Sequence, residues 1–320
     1  EKVYNQQVLR MLQYQAYAQS YSDSLTYTDA ELEAAYQADP KTYDKAAWEY
    51  VVVSGAADST TDADGNTVQA TDEEQAAAKE TAKATAEEIL AAYNSGKSLE
   101  SIAGNYEKAT YYNTTDATYY DGVVGNWLFD DARKDGDTEI LEVGTNYYVG
   151  LFHSRGREEY KTVDIRHILI TPETGTKAQG DEGYEDEQTQ LKAAARTKAE
   201  EILAQWKSGE ATEDSFAQLA MENSADGSKY DGGLYTRVTK GWAVEEFNDW
   251  CFDASRKDGD TGIVDTTYGS HVMYFVGYDL PAWAASVTSD LQEKAASEWS
   301  TALSENADVQ QSDFGMKFVG

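Results

Sequence analysis

Two stretches of the chain repeat one another. Residues 127–140 (WLFDDARKDGDTEI) and 250–263 (WCFDASRKDGDTGI) agree at 10 of 14 positions, and AEEILAAYNSG at 86–96 is answered by AEEILAQWKSG at 199–209. Strand-like WEYVVV (48–53) is likewise answered by IRHILI (165–170). A duplication kept in order allows few architectures, namely two copies of one unit, each able to bury its own core. Carrying the frame through sets Tyr50 opposite His167 and Tyr148 opposite His271. The second copy keeps two imidazoles that the first lacks. That predicts one working unit and one turned to another use.

Each copy reads as strand, polar loop, helix, helix, turn, helix and strand. In the second, the strand is 163–171, an acidic loop spans 172–187, and a long helix over 190–206 carries Leu191, Ala194, Ile202 and Leu203 at helical spacing. Phe216, Leu219 and Ala220 mark a further helix, Asp231-Gly232-Gly233 a turn, 245–252 a short helix with Phe247 and Trp250 inward, and 271–276 the closing strand. Helices are predicted at both ends. Val8, Leu9, Leu12 and Ala16 form an apolar face over about 3–20, and Thr28 to Glu31 is a capping box opening another helix. Trp283, Val287, Leu291, Ala295, Trp299 and Leu303 form a stripe near the other end, while Pro40 and Pro281 bracket the repeats. The predicted class is α+β, with antiparallel sheets flanked by helices in four segments. These are a helical 1–44, a first unit 45–160, a second unit 161–280, and a helical 281–320 that joins the N-terminal helices in one module.

Charge excludes some partners. The chain carries a formal net charge of −32 over 320 residues, with 41% hydrophobic residues to fill its cores. Nucleic acid is excluded as a partner, since each phosphate contact would add like-charge repulsion. Attraction to basic polypeptides is favoured. No apolar run reaches the 18 or so residues of a membrane-spanning helix. The single cysteine, Cys251, rules out an internal disulfide framework and any cysteine-based zinc site, and its Trp-Cys-Phe setting reads as core.

The second unit resembles a parvulin-type peptidyl-prolyl cis/trans isomerase domain. The matching pieces, in family order, are Arg166-His167-Ile168-Leu169, Ser224-Ala225-Asp226, Gly232-Gly233-Leu234, Lys240-Gly241, Phe247 and Thr266 to Val272. With its helical ends, the chain is similar to extracellular foldases of the PrsA and SurA type. The resemblance implies a hydrogen-bonded pair of histidines, His167 and His271, with Asp226 and Thr266 in support. It implies a proline socket lined by Leu234 and Phe247. It further implies catalysis without a cofactor and clients that are unfolded or nascent secreted polypeptides with X-Pro bonds. An extracytoplasmic place at the cell surface follows, with an anchoring segment outside this sequence. Oligomeric state is left open.

Two departures bear on the socket. Ala243 stands where the family carries methionine, and the Gly-Gly turn is one residue short, so the socket is underfilled and activity weak unless Trp242 or Tyr235 closes it. Tyr50 and Tyr148 make the first unit catalytically silent. A non-enzymatic holdase, binding through inactive units, is the competing reading. His167, Asp226 and His271 also match a two-histidine, one-carboxylate metal triad, which nothing else in the chain supports. A Ser-His-Asp hydrolase lacks its Gly-x-Ser-x-Gly elbow. His153 aligns with no motif and reads as a surface residue. Residues 62–66 superficially match a calcium loop but lack its first and twelfth acidic positions, so a solvated turn is expected. The acidic loop at 172–187, at the socket rim by resemblance, argues against phosphoserine-proline specificity.

Overall fold

The computed structural model describes residues 2–305. In chain order the first half comprises α1 (Lys2–Ser24), α2 (Asp29–Ala38), α3 (Pro40–Tyr43), β1 (Lys45–Val53), β2 (Thr60–Thr61) and β3 (Thr67–Val68). It continues through α4 (Asp72–Asn94), α5 (Leu99–Ala103), β4 (Ala109–Ala117), α6 (Val123–Leu128), β5 (Thr138–Val143) and β6 (Asn146–Gly156). The second half holds β7 (Lys161–Ile170), α7 (Tyr184–Ser208), α8 (Glu213–Asn223), a 3-10 turn at Gly227–Asp231 and β8 (Leu234–Val238). It ends with α9 (Glu245–Phe252), β9 (Thr261–Thr266), β10 (Gly269–Pro281) and α10 (Ala282–Glu305).

The duplication is visible in the sheets. One has the antiparallel order β4-β1-β6-β5 and the other β8-β7-β10-β9, the same wiring with equivalent strands in equivalent places. By packing, residues 27–158 form one compact unit, and the described residues 2–26 with 159–305 belong to another. In the 27–158 unit, Val51, Val53, Val149 and Leu151 on one sheet face meet Ala82, Ala86 and Ile89 of α4 and Ile102 of α5. The other face carries Trp48 and Phe152 against Val124, Trp127 and Leu128 of α6. Alternation along each strand sorts these residues to their two faces.

The second sheet repeats the plan. Ile168 and Val272 pack on Ile202, Leu203 and Trp206 of α7 and on Phe216 of α8. Val163, Ile165, Met273 and Phe275 face Phe247, Trp250 and Cys251 of α9. Cys251 is fully buried, and burial pushes its thiol up to about 12, as suits a core residue. The predicted turn at 62–66 is the tip of the β2–β3 hairpin, closed by Asp62 accepting from the amides of Asp64 and Asn66.

The terminal helices differ from expectation in two ways. The capping box at Thr28 and Glu31 is present, but α2 and α3 group with the first sheet. The buried Tyr36 hydroxyl donates to Asp44 there, at 2.7 Å. Only α1 is thus left to meet α10. Leu9 and Leu12 of the predicted face are exposed, and the ring contacts of α1 come from a row of tyrosines that themselves stay partly exposed. Tyr14, Tyr17 and Tyr21, spaced for one helix face, pack on Trp299 of α10 with ring centroids 5.2 to 6.0 Å apart. Aromatic stacking outweighs an aliphatic stripe too sparse to cover a helix. The α10 stripe is buried at Trp283 and Val287 and emerges at Leu303. No helix among the described residues is long and apolar enough to cross a membrane.

Candidate active site

Strand alternation brings the two histidines together. β7 and β10 are neighbours at the centre of their sheet, with Met273 paired to His167 and His271 paired to Leu169. His167 and His271 are therefore diagonal neighbours on the face that holds Val163, Ile165, Met273 and Phe275. Where that apolar row ends, the imidazoles continue it, both nearly fully buried. Their Nδ1 atoms lie 3.1 Å apart and their rings are close to parallel, at 17°. Thr266, at the end of β9, sets its hydroxyl 2.9 Å from Nε2 of His271. Asp226 caps the 3-10 turn and places a carboxylate oxygen 3.3 Å from Nε2 of His167.

The protons in this row are fixed by charge. Burial works against ionisation of Asp226, but its hydrogen bonds from the Ser228 hydroxyl and amide, its electrostatic attraction to the His167 ring and the Tyr235 hydroxyl prevail, holding it at about 2. The Ser228 and Tyr235 hydroxyls donate at 2.5 and 3.0 Å. An ionised carboxylate only accepts, so His167 carries its hydrogen on Nε2. His167 Nδ1 then accepts from His271 Nδ1–H, and His271 Nε2 accepts from the Thr266 hydroxyl. The result is one directed chain: Thr266 to His271 to His167 to Asp226. Both imidazoles are neutral near pH 7. Burial lowers the pKa of His167 against the pull of Asp226, and burial followed by the proximity of His167 lowers that of His271 to about 4.

The pair forms the floor of a cavity of about 450 Å³ lined by His167, Asp226, Tyr235, Gly241, Trp242, Ala243, Val244, Phe247, Tyr268 and His271. Phe247 presents its ring at steep angles, 86° and 81°, to both imidazoles, at 5.5 and 5.3 Å. Trp242, Ala243 and Phe247 stand where the sequence placed them, while Thr266 sits behind His271. Leu234 does not line the cavity. One residue along the strand from Tyr235, it borders a separate cavity with Arg237 and Asp279. Tyr235 takes its place, 4.7 Å from Trp242, with Ala243 beside them in the lining. The short turn has a steric cause. Gly233 has φ +75°, and a Cβ there would lie 2.3 Å from the carbonyl oxygen of His167.

Ser228 and Tyr268 escaped the sequence reading. For Ser228 a signal existed, since a serine two residues after a capping aspartate commonly folds back onto its carboxylate. The loop at 172–187 contributes nothing to the cavity lining. Glu187 instead accepts from Thr176 and Lys177, folding the loop onto itself. His153 is not a free surface residue either, for its Nε2 meets Glu49 at 3.0 Å.

Other chemistries fit poorly. The facing Nδ1 atoms of the histidines and the Asp226 carboxylate on the far nitrogen do not converge on a point where a metal could sit. No metal-binding cluster occurs among the described residues. Ser228, His167 and Asp226 are adjacent, but a hydrolase triad needs its hydroxyl and carboxylate on opposite nitrogens of the imidazole. Here both lie at Nε2, and Ser228 donates to the carboxylate.

The comparisons agree with this geometry. A family model described as the PPIC-type PPIASE domain matches residues 149–276. Foldase protein PrsA 1 of Listeria innocua is 29% identical over 142 residues, covering 43% of this chain and 39% of that protein. A crystal structure of PrsA from Bacillus subtilis is similar at 22% identity and TM-score 0.32, over 48% of this chain and 52% of that one. A structure from Campylobacter jejuni, described among SurA-like chaperones, is similar at 21% identity and TM-score 0.28, over 48% and 56%. The chain thus spans about two fifths to a little over half of these relatives. TM-scores this low carry no weight, and the assignment rests on the domain match with the histidine pair inside it. Residues 149–276 thus match a PPIC-type, or parvulin-type, peptidyl-prolyl isomerase domain, and the histidine pair lies inside that match.

Proposed function

We propose that the second unit is a working peptidyl-prolyl cis/trans isomerase and that the chain is an extracytoplasmic foldase for non-native secreted polypeptides with X-Pro bonds. The observation that carries this is the directed row from Thr266 to Asp226 under an aromatic cavity. Amide rotation faces a barrier of roughly 18–20 kcal/mol, because twisting the C–N bond ends its resonance. A catalyst needs no nucleophile for this; it must hold the prolyl ring and favour the twisted amide over the planar one. Phe247, Trp242 and Tyr235 would hold the ring. The planar amide is the more dipolar form, so a dry, uncharged floor disfavours it relative to the twisted form. Neutral histidines supply that floor, and their internal hydrogen bonds keep ring nitrogens from capturing the substrate carbonyl. His167, His271, Asp226 and Thr266 would thus act as one rigid assembly.

The competing reading is a holdase that grips proline without turning it, and the small Ala243 favours it. Cis/trans exchange of a short X-Pro peptide, measured by NMR exchange spectroscopy, separates the two. Acceleration by the chain that disappears in His271→Ala supports the isomerase. Binding of the peptide without acceleration establishes the holdase.

A further inference from the structure

The retired site of the first unit is built from tyrosines. Tyr50 stands where the second unit has His167, and Tyr148 where it has His271. Tyr112 pairs with Tyr50 across the sheet as Gly233 faces His167, and Tyr120 matches Ala243 in the ungapped frame of the repeat. Where the second unit has a glycine and an alanine, this one carries rings. Tyr50 stacks on Tyr112 and Tyr148 at 5.0 and 5.8 Å, both at 17°, and on Trp48 at 4.0 Å. Tyr112, at one end of the stack, is 45% exposed, and Tyr120 is 53% exposed, so both present open aromatic surface.

The hydroxyls lack protein partners as well. No hydrogen bond joins the phenols of Tyr50, Tyr112, Tyr120 or Tyr148 to another described residue, although neighbouring Tyr111 and Tyr119 are bonded to Glu49 and Asn126. Burial, then the proximity of Tyr148, Tyr112 and Tyr120, raises the pKa of Tyr50, which keeps it a protonated donor. Flat rings with free donors match one backbone form in particular. A polyproline-II segment offers prolyl rings for stacking and carbonyls that no internal hydrogen bond satisfies. The surroundings set its charge. Residues 27–158 contain 26 acidic and 10 basic residues, a net charge of −16, with Asp121 next to Tyr120.

We infer that Tyr50, Tyr112, Tyr120 and Tyr148 form a second, non-catalytic docking site for basic, proline-rich extended polypeptide. The phenols donate to its backbone carbonyls, the ring faces take its prolines, and Lys or Arg side chains lie toward the acidic surroundings. The site retains client chain without isomerising it.

The test is calorimetric titration of the full chain with the synthetic peptide (Lys-Pro-Pro)3, with isomerisation of a short X-Pro peptide followed in parallel. The expected result is two peptides per chain, one lost in Tyr112→Ala/Tyr120→Ala, with isomerisation unchanged. Because both side chains are largely exposed, the fold should survive, as far-UV circular dichroism will show. Tyr112→Phe/Tyr120→Phe, which keeps the rings, should weaken the second site several-fold without abolishing it, and raised salt should weaken it further. A stoichiometry that the alanine pair leaves unchanged overturns the inference. So does equal binding of (Glu-Pro-Pro)3 at low salt. Failure of isomerisation alone refutes only the isomerase reading and leaves this site standing.

Discussion

Asp226→Asn tests whether one carboxylate orders the whole row. The native carboxyl is held at about 2, against an unfolded value of roughly 3.9. Two units at about 1.4 kcal/mol each set a ceiling near 3 kcal/mol, and water at a side chain one quarter exposed trims this to about 1–2 kcal/mol. Because the folded pKa is depressed, this stability is present above about pH 4 and lost as the pH falls toward 2. Asp226→Asn should therefore melt about 2–8 °C lower at pH 7. Its deficit should shrink from pH 4 downward, where the native carboxylate is itself protonated. The substitution also removes the charged acceptor from His167 Nε2. In 15N NMR of labelled histidines, the native chain should show His167 protonated at Nε2 and His271 at Nδ1. The asparagine variant should show mixed tautomers, with imidazole titration shifted to still lower pH because nothing negative favours the imidazolium. A native His167 protonated at Nδ1 would refute the directed chain, and so would a variant equally stable at pH 7 with ordered tautomers.

The acid limb offers a second check. Isomerisation should be flat from pH 8 to about 5 and fall as His271 protonates near 4; His271's folded-state pKa lies below its unfolded one, so the stability it contributes is present above about pH 6.5 and lost on acidification toward 4. Phe247→Ala should cost about 3–5 kcal/mol in denaturant unfolding of its unit and sharply reduce isomerisation. Trp299→Ala, by unstacking Tyr14, Tyr17 and Tyr21, should make α1 the first segment cut in limited proteolysis while the β7–β10 sheet stays resistant. Tyr50→His/Tyr148→His should confer no isomerase activity on the first unit, since Tyr112 stays stacked on position 50 and no matched counterpart of Asp226 orders the new pair; acceleration surviving in that variant combined with His271→Ala would contradict this.

The duplication exposed the shared sheet order in the sequence because a repeat fixes topology without any need to know contacts. His167, His271, Asp226 and Phe247 were legible for a similar reason, as their motifs are local and in order. Leu234 was misplaced because a motif match cannot tell the two faces of a strand apart, and a one-residue shortening of the preceding turn reverses them. Tyr235 matters through its hydrogen bond to the Asp226 carboxylate, a relation between side chains that spacing does not reveal. On α1, the aliphatic pattern of Val8, Leu9 and Leu12 gave no sign of the ring contacts. Its packing is decided by the tyrosines and by a tryptophan almost three hundred residues distant.

That distance bears on how the molecule comes together during synthesis. Tyr14 and Ser300 share a hydrogen bond across 286 positions. Closing an open loop of that length costs about 5 kcal/mol of chain entropy by the (3/2)RT ln n rule. In a growing chain, α1 leaves the ribosome long before its partner α10. For most of that interval its tyrosines have nothing to stack on. Residues 27–158 can fold meanwhile, which takes them out of the loop and reduces the closing cost. The second copy then completes its sheet with β10, and Pro281 passes directly into α10, so the helix that captures α1 is delivered by the strand that carries His271. Docking of α1 on α10 would thus come after β10 has emerged, when the histidine pair can already be in place.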